Sequence, residues 1–204
     1  MLGTIFLWLF WPSFNAGIIT DNPFHKSMII SNTILSLTGS CLATFLLSGL
    51  VRHKFSMEDI LNATLAGGVA IGAPSGIVAN AGIALLIGVA AGIVSAVGYA
   101  RLSEILYKNI GLHDTCGVNN LHGIPGLLGG FVSAMVVASY QTYPGLDPLY
   151  QQYINLTPMG RTWSAQAGIQ VACTFISFFI AILTGIITGA LIYLLYEFED
   201  QEFF

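Results

Sequence analysis

Three side chains able to give and take hydrogen bonds, Asn119, Asn120 and His122, lie inside the stretch DTCGVNNLHGIPGLLGG at 114–130, which runs on into apolar sequence from Leu127 to Ser139. Polar groups are costly at membrane depth, and there they mark a pathway for a solute more often than not. With a helix starting at Thr115 and rising ~1.5 Å per residue, His122 lies ~10 Å in, approaching the middle of a ~30 Å hydrocarbon layer. Burial favours its neutral ring, which offers one N–H donor and one acceptor and suits a small neutral polar solute. Asn119 is expected to line the same path. The plain alternative is a histidine satisfied by Asn119, Asn120 or a nearby carbonyl that only ties helices together. Phe14, in WPSFN at 11–15, has a π-face that attracts a cation and a bulk that closes a pore mouth; ordinary packing or interface anchoring gives the same pattern.

Other chemistry is poorly provided for. His25, His53 and His113 fall in expected connections on both sides of a membrane, so they cannot converge with His122 on one ion, and no Asp or Glu lies in the expected spans. Neither a metal nor another cofactor is expected, since such sites need several convergent ligands. Cys41 and Cys173 lie within apolar runs and Cys116 near the start of one, without CxxC spacing, which reads as small apolar thiols. With no nucleophile–base pair or carboxylate cluster, an enzyme is not expected. Asn62 and Asn155 each open an N-x-T glycosylation pattern. The first falls at or in the membrane and should be silent; Asn155 is external in the expected topology and is followed at 158 by proline.

These residues need spans to hold them, and the composition supplies them. Of 204 residues, 55% are hydrophobic and only 8% charged, against ~25% charged in an ordinary soluble domain, so the chain reads as an integral membrane protein. The net charge of −4 comes mostly from Glu197, Glu199, Asp200 and Glu202, leaving no basic field for nucleic acid. Six helical spans are expected, at 2–19, 27–51, 60–73, 77–100, 115–138 and 162–196, the third short and glycine-rich and separated from the fourth by turn chemistry in 72–80. Residues 52–59, 101–113 and 140–161 read as connections, the last a longer external loop, and 197–204 as an acidic tail. Arg52, Lys54, Arg101 and Lys108 fall on the side of both termini, against Lys26 and Arg161 opposite, which places the termini in the cytoplasm. Four GxxxG pairs, Gly68/Gly72, Gly88/Gly92, Gly126/Gly130 and Gly185/Gly189, suit close helix packing. Met1 to Phe10 lacks the basic region of a signal peptide and enters an apolar helix directly, as though starting mid-fold.

MLGTIFLWLFWPSFN, NATLAGGVAIG and HDTCGVNNLHGIPGLLGG, in this order and at this spacing, resemble three helices of the Rhesus glycoprotein branch of the ammonium transporter family. The resemblance covers nearly the whole chain and corresponds to the sixth to eleventh helices of a shared eleven-helix core. It implies an all-α multi-pass membrane protein: residues 1–196 are one inverted-repeat half of the fold plus the final helix, a fragment without its first half. It further implies a plasma-membrane homotrimer in which each full protomer recruits ammonium outside and passes neutral ammonia through a narrow apolar pore past two histidines. His122 matches the second histidine and Phe14 one of two phenylalanines stacked at the outer mouth; the partner of each belongs to the other half. Retention of His122 separates the chain from the blood-group Rhesus proteins. Within this reading, carbon dioxide passage is one alternative, and a non-transporting subunit that binds full-length protomers is another.

Overall fold

The computed structural model describes residues 1–17, 19, 22–139 and 162–194. A chain this poor in charge must satisfy its backbone internally, and in lipid a helix does so within one segment. Among the described residues the regular structure is helical: α1 (Leu2–Ala16), α2 (Pro23–Arg52), the short pieces α3 (Met57–Leu61) and α4 (Ala66–Ala70), α5 (Ala81–Val97), α6 (Ser103–Ile110), α7 (Ile124–Ser139) and α8 (Trp163–Tyr193). A 3₁₀ turn, Ala63–Leu65, links α3 to α4; a π turn, Gly98–Leu102, carries α5 into α6; and a second π turn, Asn119–Gly123, opens α7. Local sequence sets the ends. The side chains of Asn22, Asn80 and Thr162 accept backbone N–H groups at the starts of α2, α5 and α8, with Pro23 leading α2. Gly111, at φ 66°, ends α6.

Four helices are long and apolar enough to cross a membrane: Pro23–Arg52, Ala81–Ile110, Asn119–Ser139 and Trp163–Tyr193. The other two expected spans differ. The 15 residues of α1 reach only ~22 Å, and 60–73 is broken into helical pieces at Asn62 and again where the 3₁₀ turn passes into α4. The turn expected within 72–80 is present. The expected connection 101–113 is helical as far as Ile110, because the charges of Glu104 and Lys108 pair along one exposed helix face instead of ending it. Residues 140–161, with Asn155, and the tail 197–204 lie outside the described residues.

The broken segment presents carbonyls that α2 answers from one face: those of Ser75 and Val78 depend on it, while those of Ala63 and Gly67 already accept Ala66 N–H and Ile71 N–H and take a second donor. Asn32 Nδ2 donates to Ser75 O (2.9 Å) and Val78 O (2.7 Å), Ser36 Oγ to Gly67 O (2.7 Å), and Ser40 Oγ to Ala63 O (2.7 Å). All three side chains are buried, at the four-residue spacing that aligns them along a helix. The same turns of α2 meet α5 on their other flank. A Cβ on Gly88 would come within 1.9 Å of Ser36 O, and one on Gly92 within 2.6 Å of Ser40 O, so the two backbones touch where the glycines are.

The remaining glycine pairs behave unequally. Gly68 lies beneath the Trp11 ring, Gly130 against Thr174 of α8, and Gly129, outside any pair, against Ala70 O. Gly185 and Gly189 have nothing within 4 Å, so among the described residues this pair packs no helix, contrary to expectation. Spacing alone records a small-residue stripe but not which way it faces.

Two stability outcomes follow. Asn32→Leu strands two buried carbonyls and should lower the free energy of SDS-induced unfolding by about 1–3 kcal/mol for each. Gly88→Ala drives a methyl into the α2 backbone and should cost about 1–3 kcal/mol, whereas Gly189→Ala should stay within about 0.5 kcal/mol of the parent.

Candidate functional site

The site is assembled by α1, whose polar and indole groups repeat along one face. Thr4 Oγ1 donates to Leu61 O (3.2 Å), Trp8 Nε1 to Thr64 Oγ1 (3.4 Å), and Asn15 Nδ2 to Gly68 O and Thr33 Oγ1 (both 3.1 Å). Trp11 falls in the same stripe, its indole so close over Gly68 that a Cβ there would come within 2.6 Å of Nε1. Positions 4, 8, 11 and 15 therefore fasten α1 to the broken segment. This spacing is visible in the sequence and is the signal by which Trp11, absent from the expected site, could have been found.

His122 reaches the same place from α7. Its segment is started by Asp114, whose Oδ1 accepts Val118 N–H (2.9 Å) and Oδ2 accepts Asn119 N–H (3.0 Å), a carboxylate at the positive end of a helix. Gly117, at φ 64°, supplies the turn between them. The span accordingly begins at Asn119, not Thr115, and His122 lies only about 5 Å along it. Pro125 follows without an N–H to offer Leu121, and Ile124 N–H bonds back to Asn119 O in the wider π pattern.

The His122 ring stacks on Trp11, centroids 6.0 Å apart and planes 15° from parallel, and Phe14 meets the other side of this arrangement edge-on to Trp11 at 6.2 Å and 76°. The structure thus brings two expected residues, Phe14 and His122, to one indole. His122 and Phe14 are exposed while Trp11 is buried. Asn119, half-buried, turns its amide toward Asn120 Oδ1 (3.5 Å), and the fully buried Asn120 donates to Ser103 Oγ (2.7 Å). Both asparagine amides are thereby engaged elsewhere than on the imidazole. The ring is exposed beside the Trp11 indole on which it stacks.

The other histidines are scattered. His25, expected in a connection, is buried in the first turn of α2 with Nε2 2.9 Å from Gly76 O. His53 ends α2 in the left-handed region, and the His113 ring lies against Tyr107, centroids 4.4 Å apart. Asp59, expected in a connection, is also buried, in α3, with Oδ2 3.3 Å from Arg52 Nε. Among the described residues no group of three or more His, Cys, Asp or Glu gathers as a metal site would require.

Apolar helices of spanning length and a broken segment held by polar side chains define a multi-pass helical membrane protein. Residues 1–203 match the Ammonium Transporter Family, and the chain belongs to that family. It is 40% identical over 200 residues to the ammonium transporter Rh type B of Danio rerio, covering 94% of this chain and 42% of that one. It is 39% identical over 202 residues to Rh type C of Xenopus laevis, covering 94% and 41%. The solved Rh50 of Nitrosomonas europaea, a channel of the Rhesus protein family, superposes with a TM-score of 0.62 at 39% identity over 86% of this chain and 44% of that one. These relatives place the chain in the Rhesus branch. A sensor Amt protein shares the fold, with a TM-score of 0.66 at 23% identity. The chain spans about two fifths of the length of the relatives it matches.

Asp114→Ala removes both acceptors at the start of the His122 segment. It should cost about 1 kcal/mol locally, read as roughly fivefold faster hydrogen exchange at the Val118 and Asn119 amides, with the α2 amides unchanged.

Proposed function

We propose that the chain forms one wall of an ammonia channel in which ammonium is recruited at an outer mouth bearing Phe14, leaves its proton, and crosses as neutral ammonia past His122 and Asn119. The observation that carries this reading is the exposed His122 ring stacked on Trp11, with Phe14 edge-on to the same indole. Moving ammonium into hydrocarbon is prohibitive, whereas ammonia sacrifices only hydrogen bonds, which a neutral imidazole partly replaces. An apolar wall with one such ring therefore selects for the uncharged base.

A polar ring facing lipid is unfavourable, so the exposed imidazole calls for a second wall. In our reading an inverted repeat supplies it, with a second histidine and a second phenylalanine, and full protomers assemble as a trimer in the plasma membrane. Residues 1–196 then belong to the membrane region, with both ends of the chain and the acidic residues 197–204 on the cytoplasmic side, and Asn155 outside and open to glycosylation.

Methylammonium uptake tests this. In cells expressing the longest reading frame that contains the chain, His122→Ala should cut uptake at least tenfold, as expected for loss of about 1.4 kcal/mol or more at the barrier. Liposomes holding these 204 residues alone should show no uptake that depends on His122. Unaltered uptake in the His122→Ala cells, or uptake by the chain alone that His122→Ala abolishes, would refute the two parts respectively.

A further inference from the structure

The two π turns face each other. In the first, Ser103 N–H bonds back to Gly98 O, and in the second Ile124 N–H bonds back to Asn119 O. Gly98 is where they touch, since a Cβ there would come within 2.6 Å of Asn120 Oδ1. Asn120 Nδ2 donates to Ser103 Oγ (2.7 Å), and Tyr99 Oη donates to Gly117 O (2.8 Å) with its ring packed beneath that glycine. Asn120 is fully buried and Tyr99 nearly so. The first π turn and the residue after it thus grip the second at its entry, Gly117, and in its body, Asn120.

A π turn matters for direction as well as for packing. One residue inserted into a helix rotates every later side chain by about 100° relative to the uninterrupted course. His122 is two residues beyond Asn120, inside the second turn, and its orientation toward Trp11 depends on that turn keeping its wider winding. Asn120 and Tyr99 direct their bonds to Ser103 Oγ and Gly117 O rather than to the imidazole, so each holds the backbone that aims it.

We infer that Asn120 and Tyr99 are positioning residues for His122, acting through the paired π turns to keep the imidazole against Trp11. The inference rests on the conduction reading only for its consequence in transport; the placement of the ring is a separate matter and is tested separately.

The chain has three tryptophans, so 5-fluorotryptophan labelling in lipid nanodiscs gives three fluorine resonances, assigned by single Trp→Phe changes. In the parent, the Trp11 resonance should move on acidification as the stacked imidazole takes a proton, and His122→Ala should abolish that movement. Tyr99→Phe, which removes one hydroxyl, and Asn120→Leu should each at least halve it while the helical circular dichroism stays intact. Ser103→Ala should weaken it and Ser103→Thr, which keeps the hydroxyl, should restore it. A merely structural role would lower stability without moving this signal. Unchanged movement in Tyr99→Phe and Asn120→Leu overturns the inference, as does movement that survives His122→Ala. If Asn120→Leu fails to fold, Tyr99→Phe decides alone. A parent reading frame that shows no methylammonium flux would sink the conduction reading instead, leaving the fluorine result to judge the placement.

Discussion

The fold depends on one constraint: a backbone that stops being helical at membrane depth must find its hydrogen bonds in protein, because the bilayer offers none. The segment from Met57 to Val78 breaks three times, between α3, the 3₁₀ turn, α4 and the following turns. Its freed carbonyls at Ser75 and Val78 are taken by Asn32 of α2, and Ser40 and Ser36 add a second donor to those of Ala63 and Gly67. Replacing those three by leucine would suit a lipid-facing helix and ruin this one. Each unmet carbonyl would carry a desolvation penalty that apolar packing there could not return. The ladder also explains why α2 is central. Its serine backbones are the surface against which Gly67 on one side and Gly88 and Gly92 on the other must come without side chains.

From this ladder the site follows by contact. A broken segment rich in glycine presents Gly68 flush, and only there can the Trp11 indole lie against backbone. Trp11 so placed becomes the platform for His122 and the edge partner of Phe14. The platform is apolar and fixed by α1's bonds to Leu61, Thr64 and Gly68, while the ring stacked on it comes from a different helix with its own start signal in Asp114. Two independently anchored elements meeting at one stack give a restrained geometry, since neither can shift without breaking its own anchoring bonds.

Much of this was legible in the residues. Uncharged runs at 27–51 and 77–100 read as spans, the first lying within a longer helix and the second helical from Ala81, and proline and glycine at 72–80 read as the turn that is found. The resemblance carried by HDTCGVNNLHG and WPSFN singled out His122 and Phe14, which do share a neighbour. What stayed hidden was mostly direction and partner. Asn32, Ser36 and Ser40 look like any scatter of small polar residues until the carbonyls they serve are known. The helix expected to begin near Thr115 begins later because Asp114 and Gly117 hold 115–117 as a turn. His25 and Asp59 were placed in connections because charge and polarity mark loops on average, and both are buried against a partner that sequence distance conceals, Gly76 for one and Arg52 for the other. Gly185 and Gly189 show the converse, since a motif that permits close packing does not require it.

The asymmetry of burial bears on how such a wall can work. The apolar stretch of Ala81–Ile110 is 44% buried within the chain, those of Pro23–Arg52 and Asn119–Ser139 39% and 33%, and that of α8 0%, so the thin margin of the bundle is α8. The imidazole lies in the π turn that opens α7, exposed and stacked on Trp11. A ring enclosed on all sides would have no nitrogen left for a passing solute, and one held only by a mobile loop would lose its aim. Covering one face with an indole restrains the ring and leaves its in-plane nitrogens available, because stacking uses the π surface and hydrogen bonding uses the edge. Rigidity and availability are thereby supplied by different parts of the same side chain, which in the conduction reading proposed above lets a single neutral group serve a passing base without closing the path to it.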